Sequence, residues 1–469
     1  MFQSPQLDIA VDVSSQTSLA EILSAFSYAL DLTEGQPAGH SIRACWIGVK
    51  LAQAIGLEDA ALHDVYYAVL LKDLGCSVNA ARVTEMFVGD DRKLKHDFKL
   101  IGPSTDDFGA FIMTRVGIDA DAATRDEAVA NLLANAGTIM ADIIDRRCTR
   151  GADIARRLRF SEDVADAIAH LDEHWDGSGL PLGISGDDIH IGGRIAQLAQ
   201  VADVFFKADG PHAALAEVMR RSGTRLDPKL CDMFVRLASS QVFWTALETD
   251  DIENELFAME PATQRVDVDE DYLDDIAEAF GQVIDAKSSF TAGHSERVGI
   301  YANAIAAHLG FNLVDRRRLR RAAILHDVGK LGVSSAILEK PGSLDTDEWH
   351  EMRLHSDHTT HILSRIGVMH DMALIAGSHH ERLDGKGYPL GLDAKMISQE
   401  SRIITVADIF DALTADRPYR AAMPVNKALH IMAGEVGTAI DPECFYALQM
   451  AIASGLPTKA LPELSEHFH

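Results

Sequence analysis

The stretch RAAILHDVGKL (Arg321–Leu331) recurs in altered form as YAVLLKDLGCS (Tyr67–Ser77), 254 residues earlier. The same offset pairs Phe26 with Phe280, His40 with His294 (each inside Gly-His-Ser) and Gly56 with Gly310. A spacing held over this distance indicates an internal duplication. At the positions that carry chemistry the copies part: His326 faces Lys72, Asp327 faces Asp73 and Lys330 faces Cys76. Downstream the repeat resumes at an offset of 208, where HHERLDGKGYPLG (His379–Gly391) lies over LDEHWDGSGLPLG (Leu171–Gly183). There His379 and His380 become Leu171 and Asp172, Tyr388 becomes Leu180, and His355 lies over Arg147. Val406-Ala407-Asp408 is matched to Val201-Ala202-Asp203 by allowing three extra residues in the first copy. The fall in offset gives the first copy about 46 additional residues, roughly between Val88 and Leu133.

A chain of 469 residues with 47% apolar content can bury two cores, one per copy. The net charge of −28 disfavours a nucleic-acid polymer or an anionic membrane as partner, so a phosphate-bearing substrate needs a local positive centre, such as metal ions. Five scattered cysteines without a CxxC pair fit a reducing cytoplasm and argue against a disulfide framework or a thiolate metal site. No run approaches the length of a membrane span, and the first residues lack an export signal; a cytoplasmic protein is expected.

Apolar residues recur every three or four positions in Leu19–Leu32, Ile42–Ile55, Leu273–Val283 and Val298–Leu309, while alternating runs are scarce. The expected fold is all-α, a tandem of helical domains, with at most a small hairpin near Gly-Lys-Gly-Tyr-Pro. The expected boundaries are a first domain over 1–247 with an insertion at about 89–133, an acidic irregular linker over 248–270, a second domain over 271–456 and a loose tail over 457–469.

In the second copy, imidazoles and carboxylates gather in motifs suited to zinc, iron or manganese: His294, His326, Asp327, His355, His379, His380 and Asp408. Seven N/O donors exceed one four-coordinate zinc and suit two metals with open positions. Asp327 is the natural bridge, because a carboxylate can bind two ions and an imidazole one. Lys330 follows His326 by four residues and Asp327 by three, so on a helix all three would share a face, with the ammonium directed at a phosphate oxygen. His350, His358, His361 and His370 read as surface or packing residues.

Together GHSERV, AAILHDVGKLGV, ILEKPGSL, HHERLDGKGYPLGL and RIITVADIFDALTADRPYR make the second copy, over roughly 271–456, resemble the HD-GYP family of HD phosphohydrolases. The resemblance implies a helical domain with a non-haem iron or manganese centre. It implies hydrolysis of a cyclic dinucleotide, above all cyclic di-GMP to its linear form, by a metal-bridging hydroxide. The seven residues become the metal ligands and Lys330 the phosphate contact, with Asp327 and Lys330 as the catalytic pair. Asp411, Arg417, Arg420 and Tyr388 would help to hold the substrate. Phe290 stands where some members carry a glutamate for a third metal, which favours two ions. Ser288 and Ser289 replace residues that are often acidic, which leaves a mixed GMP-AMP ring or another phosphoester as an alternative substrate. A binding module without turnover is the rival of another class.

The first copy retains His40, Asp73 and, on the looser match, Asp203, too few to hold a dinuclear centre. An ammonium at Lys72 would repel a cation. It reads as a degenerate domain, a structural partner, homodimer surface or contact for a signalling protein in preference to a ligand sensor. Cys76 reads as a buried, inert thiol.

Overall fold

In the computed structural model residues 18–456 are described, apart from 103, 262–265 and 417–420. Among them the regular structure is helical, with isolated bridges and no strand. The expected helices lie at Leu19–Thr33, His40–Ala54, Glu270–Asp285 and His294–His308. Ser18 closes a capping box with Glu21, and Asp269 caps Tyr272. Past the second and fourth of these helices stand Gly56 and Gly310, at φ of 87° and 84°. These are left-handed conformations in which glycine carries no Cβ penalty.

The two halves repeat one another's contacts. His40 Nδ1 lies 2.7 Å from Asp203, and Arg43 Nε donates to the same carboxylate at 2.6 Å. In the second half His294 Nδ1 lies 2.8 Å from Asp411, and Arg297 Nε donates to it at 2.6 Å. Asp203 therefore occupies the place of Asp411, not of Asp408. The offset of 208 continues unbroken without three extra residues, and Gln200 stands opposite Asp408. The first half thus keeps only His40 and Asp73 of the ligand positions.

The halves pack through like surfaces. Phe26 and Phe280, one from each, stack with centroids 3.9 Å apart and planes 14° apart, both fully buried. The helix Leu19–Thr33 lies against the 3-10 segment Val328–Gly332, and Glu270–Asp285 lies against its counterpart Cys76–Asn79. A single apolar core runs through both halves. Lys287 Nζ donates to Asp91 at 2.7 Å across the boundary, and Tyr272 donates to the carbonyl of Leu158 at 2.6 Å.

Two expectations change. The stretch 248–270 is not irregular throughout: Ile252–Ala258 is a helix whose Leu256 is buried in the core. Its Glu255 accepts from Trp46 Nε1 at 3.3 Å, and Glu260 accepts from the Tyr67 hydroxyl. Acidic side chains facing outward obscure an amphipathic turn when the apolar face is this short. The additional residues of the first half are likewise helical, at Asp91–Leu100, Thr105–Arg115 and the start of Ala122–Arg157. They share a second small core with Val83 and Phe87, built on Leu94, Phe111, Ile112, Val116 and Leu132. The tail 457–469 lies outside the described residues. No described helix is long and apolar enough to cross a membrane.

Asp31 and Asp285 are another matched pair, each fully or largely buried and each accepting from the serine that opens the next helix, Ser41 and Ser295. Burial pushes the Asp31 carboxyl up to about 7, against the lowering effect of Ser41. The folded chain then binds a proton that the unfolded chain has lost between about pH 4 and pH 7, so this group makes stability fall as pH rises through that window. Asp31→Asn is expected to raise stability at pH 8 by about 2 kcal/mol and to change it little at pH 4.5. Urea midpoints at the two pH values measure this; parallel curves for variant and parent would assign the proton elsewhere.

Candidate metal centre

The helix Leu313–Leu325 ends one residue before His326, and Val328–Gly332 continues as a 3-10 turn. His326, Asp327 and Lys330 therefore do not share a helical face as the spacing suggested; the tighter turn swings all three to the cleft. The turn lies against the helix Thr346–Ser364, which carries His355. A Cβ on Gly329 would sit 1.9 Å from the carbonyl oxygen of His355, so only glycine allows this approach. Gly75 meets the Arg147 carbonyl at the same 1.9 Å in the first half.

Around Asp327 the expected ligands converge. Its Oδ2 lies 3.3 Å from His326 Nε2 and 3.6 Å from His294 Nε2. Its Oδ1 lies 3.6 Å from His355 Nε2 and 3.7 Å from His379 Nε2. Asp408 Oδ1 is 3.4 Å from His294 Nε2 and 4.0 Å from His326 Nε2. His355, His379 and His380 form one group with donor atoms within 4.8 Å of one another, and His294, His326 and Asp327 form another. Three helices, His294–His308, Thr346–Ser364 and Gln399–Thr414, supply His294, His355 and Asp408, and the turns that follow Leu313–Leu325 and His370–Gly377 supply the other four.

Each of four imidazoles is oriented by its other nitrogen. His326 Nδ1 pairs with the Ala323 carbonyl at 2.6 Å, His355 Nδ1 with that of Met352 at 2.5 Å, and His379 Nδ1 with that of Ala376 at 2.6 Å. His294 Nδ1 pairs with Asp411. A carbonyl accepts only from an N–H, so in the first three Nε2 presents a lone pair to the cleft. His326 Nε2, His379 Nε2 and Asp327 Oδ1 are buried with no hydrogen-bond partner among the described residues. Orphaned lone pairs of this kind fit a metal ion.

The electrostatics agree. Burial, reinforced by neighbouring imidazoles, lowers His379 and His380 well below the usual histidine range, and burial lowers His355 to about 4. All three are neutral, as ligation requires. Burial opposes ionisation of Asp327, but the neighbouring His326 ring and Lys330 ammonium outweigh it and hold the carboxyl well below its ordinary value. Burial also opposes charge on His294, yet Asp327 and Asp411 push it up to about 10, so a cation would bind there in exchange for a proton.

The expected substrate contacts divide. Lys330 Nζ donates to Asp327 Oδ2 at 2.5 Å, and its side chain is 23% exposed at the cleft. Tyr388 tilts over His380 with centroids 4.7 Å apart, and Arg353 lies 5.2 Å from its ring. Asp411 is 1% exposed, with both oxygens taken by His294 and Arg297, so it orients the His294 ring and does not face the cleft. Arg417 and Arg420 lie outside the described residues.

Three contributors escaped the sequence reading. Arg297 holds Asp411, Arg353 covers Tyr388, and Glu381 accepts from the amides of Leu390, Gly391 and Leu392 at 2.6–3.0 Å, tying the Gly-Tyr-Pro loop to the histidine pair. A signal existed for two: Arg43 and Glu173 recur at the two offsets, and Glu173 accepts from Leu182 and Ile184 in the same way.

In the first half fixed cations stand against the remaining carboxylates of the corresponding place. Lys72 pairs with Asp73, and Lys99 lies 2.9 Å from Glu34. Glu34, Asp73 and Cys76 are close enough to hold an ion, but these ammonium groups already neutralise the carboxylates. Cys76 is 2% exposed, and burial raises its thiol well above the ordinary value, so it stays protonated.

A family model described as HD domain matches residues 113–230 and 278–444. The chain is 47% identical over 434 residues to the 3'3'-cGAMP-specific phosphodiesterase 3 of Vibrio cholerae, across 92% of this chain and 94% of that protein. It is 38% identical over 169 residues to the cyclic di-GMP phosphodiesterase response regulator of Xanthomonas campestris, across 36% of this chain and 45% of that one. Among solved structures, the crystal structure of a cyclic GMP-AMP specific phosphodiesterase of V. cholerae matches with a TM-score of 0.64 at 43% identity, over 95% of this chain and 99% of the other. The chain is a phosphodiesterase and belongs to the HD-GYP family of HD-domain proteins.

Proposed function

We propose that the chain linearises a cyclic dinucleotide by hydrolysis at a centre of two divalent ions, iron or manganese, and that the mixed 3'3'-cyclic GMP-AMP ring is preferred to cyclic di-GMP. The observation that carries the reading is the division of Asp327: one oxygen faces His294 and His326, the other faces His355 and His379. Two ions at such a site supply a water of lowered pKa and a clamp on the phosphoryl oxygens. His294, His326 and Asp408 would hold one, and His355, His379 and His380 the other, with Asp327 common to both.

The chain's own groups do the rest. Lys330, between Asp327 and the open cleft, binds a non-bridging phosphate oxygen as a point charge. Tyr388, kept protonated by burial, offers a neutral hydroxyl and an aromatic face beside His380. Arg353 adds a second positive group at the same wall. The hydroxyl nearest a base at this site, Ser356 Oγ, is fully buried and stands 3.5 Å from His355 Nε2, at the outer limit of a hydrogen bond, which favours water as the nucleophile.

Preference for the mixed ring reverses the order expected from sequence. Its support is the name of the V. cholerae relative that spans nearly the whole chain, whereas the X. campestris cyclic di-GMP phosphodiesterase matches about a third of it. The test is hydrolysis of both rings by protein purified without oxygen and loaded with ferrous iron or manganese, with His379→Ala alongside. The expected result is linear dinucleotide from the mixed ring at the higher kcat/KM, and none from the variant. Faster turnover of cyclic di-GMP would restore the other order. Failure to cut either ring with metal bound would remove the substrate class.

A further inference from the structure

The first half holds a cavity of 210 Å³ at the place that corresponds to the metal centre. Cys76, Arg147, Leu171, Asp172 and Gln200 line it, and they stand opposite Lys330, His355, His379, His380 and Asp408. Loss of the ligands has therefore not closed the site. The additional helices roof it instead: Phe98 of Asp91–Leu100 and Phe111 of Thr105–Arg115 join Phe87 on its wall.

The lining is positive although the chain as a whole is strongly acidic. Lys95, Lys99, Arg147, Arg221 and Arg225 face it, against the carboxylates of Glu34 and Asp172. Arg147 pairs with Asp172, and the two lysines share Glu34. At one end of the cavity Arg221 and Arg225 stand together, and Glu217 accepts from Arg220 and Arg221. Burial and the like charges of Arg221 and Arg220 push Arg225 down to about 10, and burial with Arg225 pushes His174, also on the wall, down to about 4.

Two further atoms on the wall ask for a donor. Asn79 Oδ1 and Gln200 Oε1 are buried amide oxygens with no hydrogen-bond partner among the described residues, and Asn79 is 3% exposed. Its amide nitrogen is already spent on the Ile143 carbonyl at 2.6 Å. Buried acceptors left in this state are costly unless something supplies an N–H or O–H.

We propose that this cavity is a binding site for a small heteroaromatic anion: a planar ring stacked among Phe87, Phe98 and Phe111, its N–H groups donated to Asn79 and Gln200, and its phosphate or carboxylate held at Arg221 and Arg225. The volume lies below the roughly 300–1,000 Å³ of drug-sized ligand pockets, so the occupant is smaller than the cyclic dinucleotide proposed for the other half. The site is independent of that proposal, because neither its residues nor its ligand enter the hydrolytic centre.

Calorimetric titration of the full chain with GMP and, separately, with orotate tests the assignment and distinguishes a phosphate from a carboxylate head. Arg225→Gln removes one end of the site from a partly exposed position, and Tyr388→Ala alters the catalytic cleft; thermal unfolding checks that both variants fold. Binding of either compound, weakened about tenfold or more in Arg225→Gln and kept in Tyr388→Ala, is the expected result. No binding of either compound overturns the proposal. So does binding lost in Tyr388→Ala and kept in Arg225→Gln, which would move the site to the catalytic half. Dodecanoate is the third titrant, and binding of it in place of the two heteroaromatic acids would overturn the assignment in favour of a lipid acid.

Discussion

Asp327→Asn is expected to lower hydrolysis by about 10³-fold or more, equivalent to about 4 kcal/mol of transition-state stabilisation. The reason is geometric. Each carboxylate oxygen faces two imidazole nitrogens, and an amide presents one oxygen and one N–H, so the side that receives the N–H is lost to a cation. Metal content should therefore fall together with rate, by at least half. The fold should survive, because the amide is isosteric and the orienting bonds of His326, His355 and His379 run to backbone carbonyls. Elemental analysis and turnover on the same preparation decide the matter. Full metal content with rate lost would give Asp327 a role other than a shared ligand, and retained rate would remove it from the centre.

The second large effect is on stability. Phe280→Ala is expected to cost about 3–5 kcal/mol, because it empties a fully buried site at which the two halves stack. Phe26→Ala should cost a similar amount, since its ring makes the reciprocal contact. The double variant should lose about 0.5–1.5 kcal/mol less than the two singles together, because each single already forfeits the ring–ring term. Urea unfolding measures all three. A cost below about 1 kcal/mol in either single variant would mean that the halves are held elsewhere, with the buried Lys287–Asp91 pair the next place to look.

Helices were legible where apolar residues repeat over three or more turns, as in Leu19–Thr33 and His294–His308. The short helix Ile252–Ala258 was not, because its acidic face dominates the composition and its one deeply buried residue, Leu256, makes no period. The turn at His326 was not legible either. Nothing local distinguishes a helix that continues through His-Asp-Val-Gly from one that tightens there; the close passage of Gly329 under the His355 carbonyl decides it.

The proposed ligand set is a different case. Metal chemistry demands particular residue types, and those types stand in short motifs that the duplication shows up by contrast with Lys72, Arg147, Leu171 and Asp172. The sequence by itself thus determined the helical class, the doubled architecture and the half that bears His294, His326, Asp327, His355, His379, His380 and Asp408. Only the tertiary structure decided that Asp203 answers to Asp411, that backbone carbonyls turn three imidazoles toward Asp327, and that the first half kept a cavity walled by arginines and phenylalanines. A carbonyl acceptor is present in every residue and leaves no mark in composition. A cavity is a space between side chains as distant in sequence as Asn79 and Arg225, which only the packing of the helices brings to one wall.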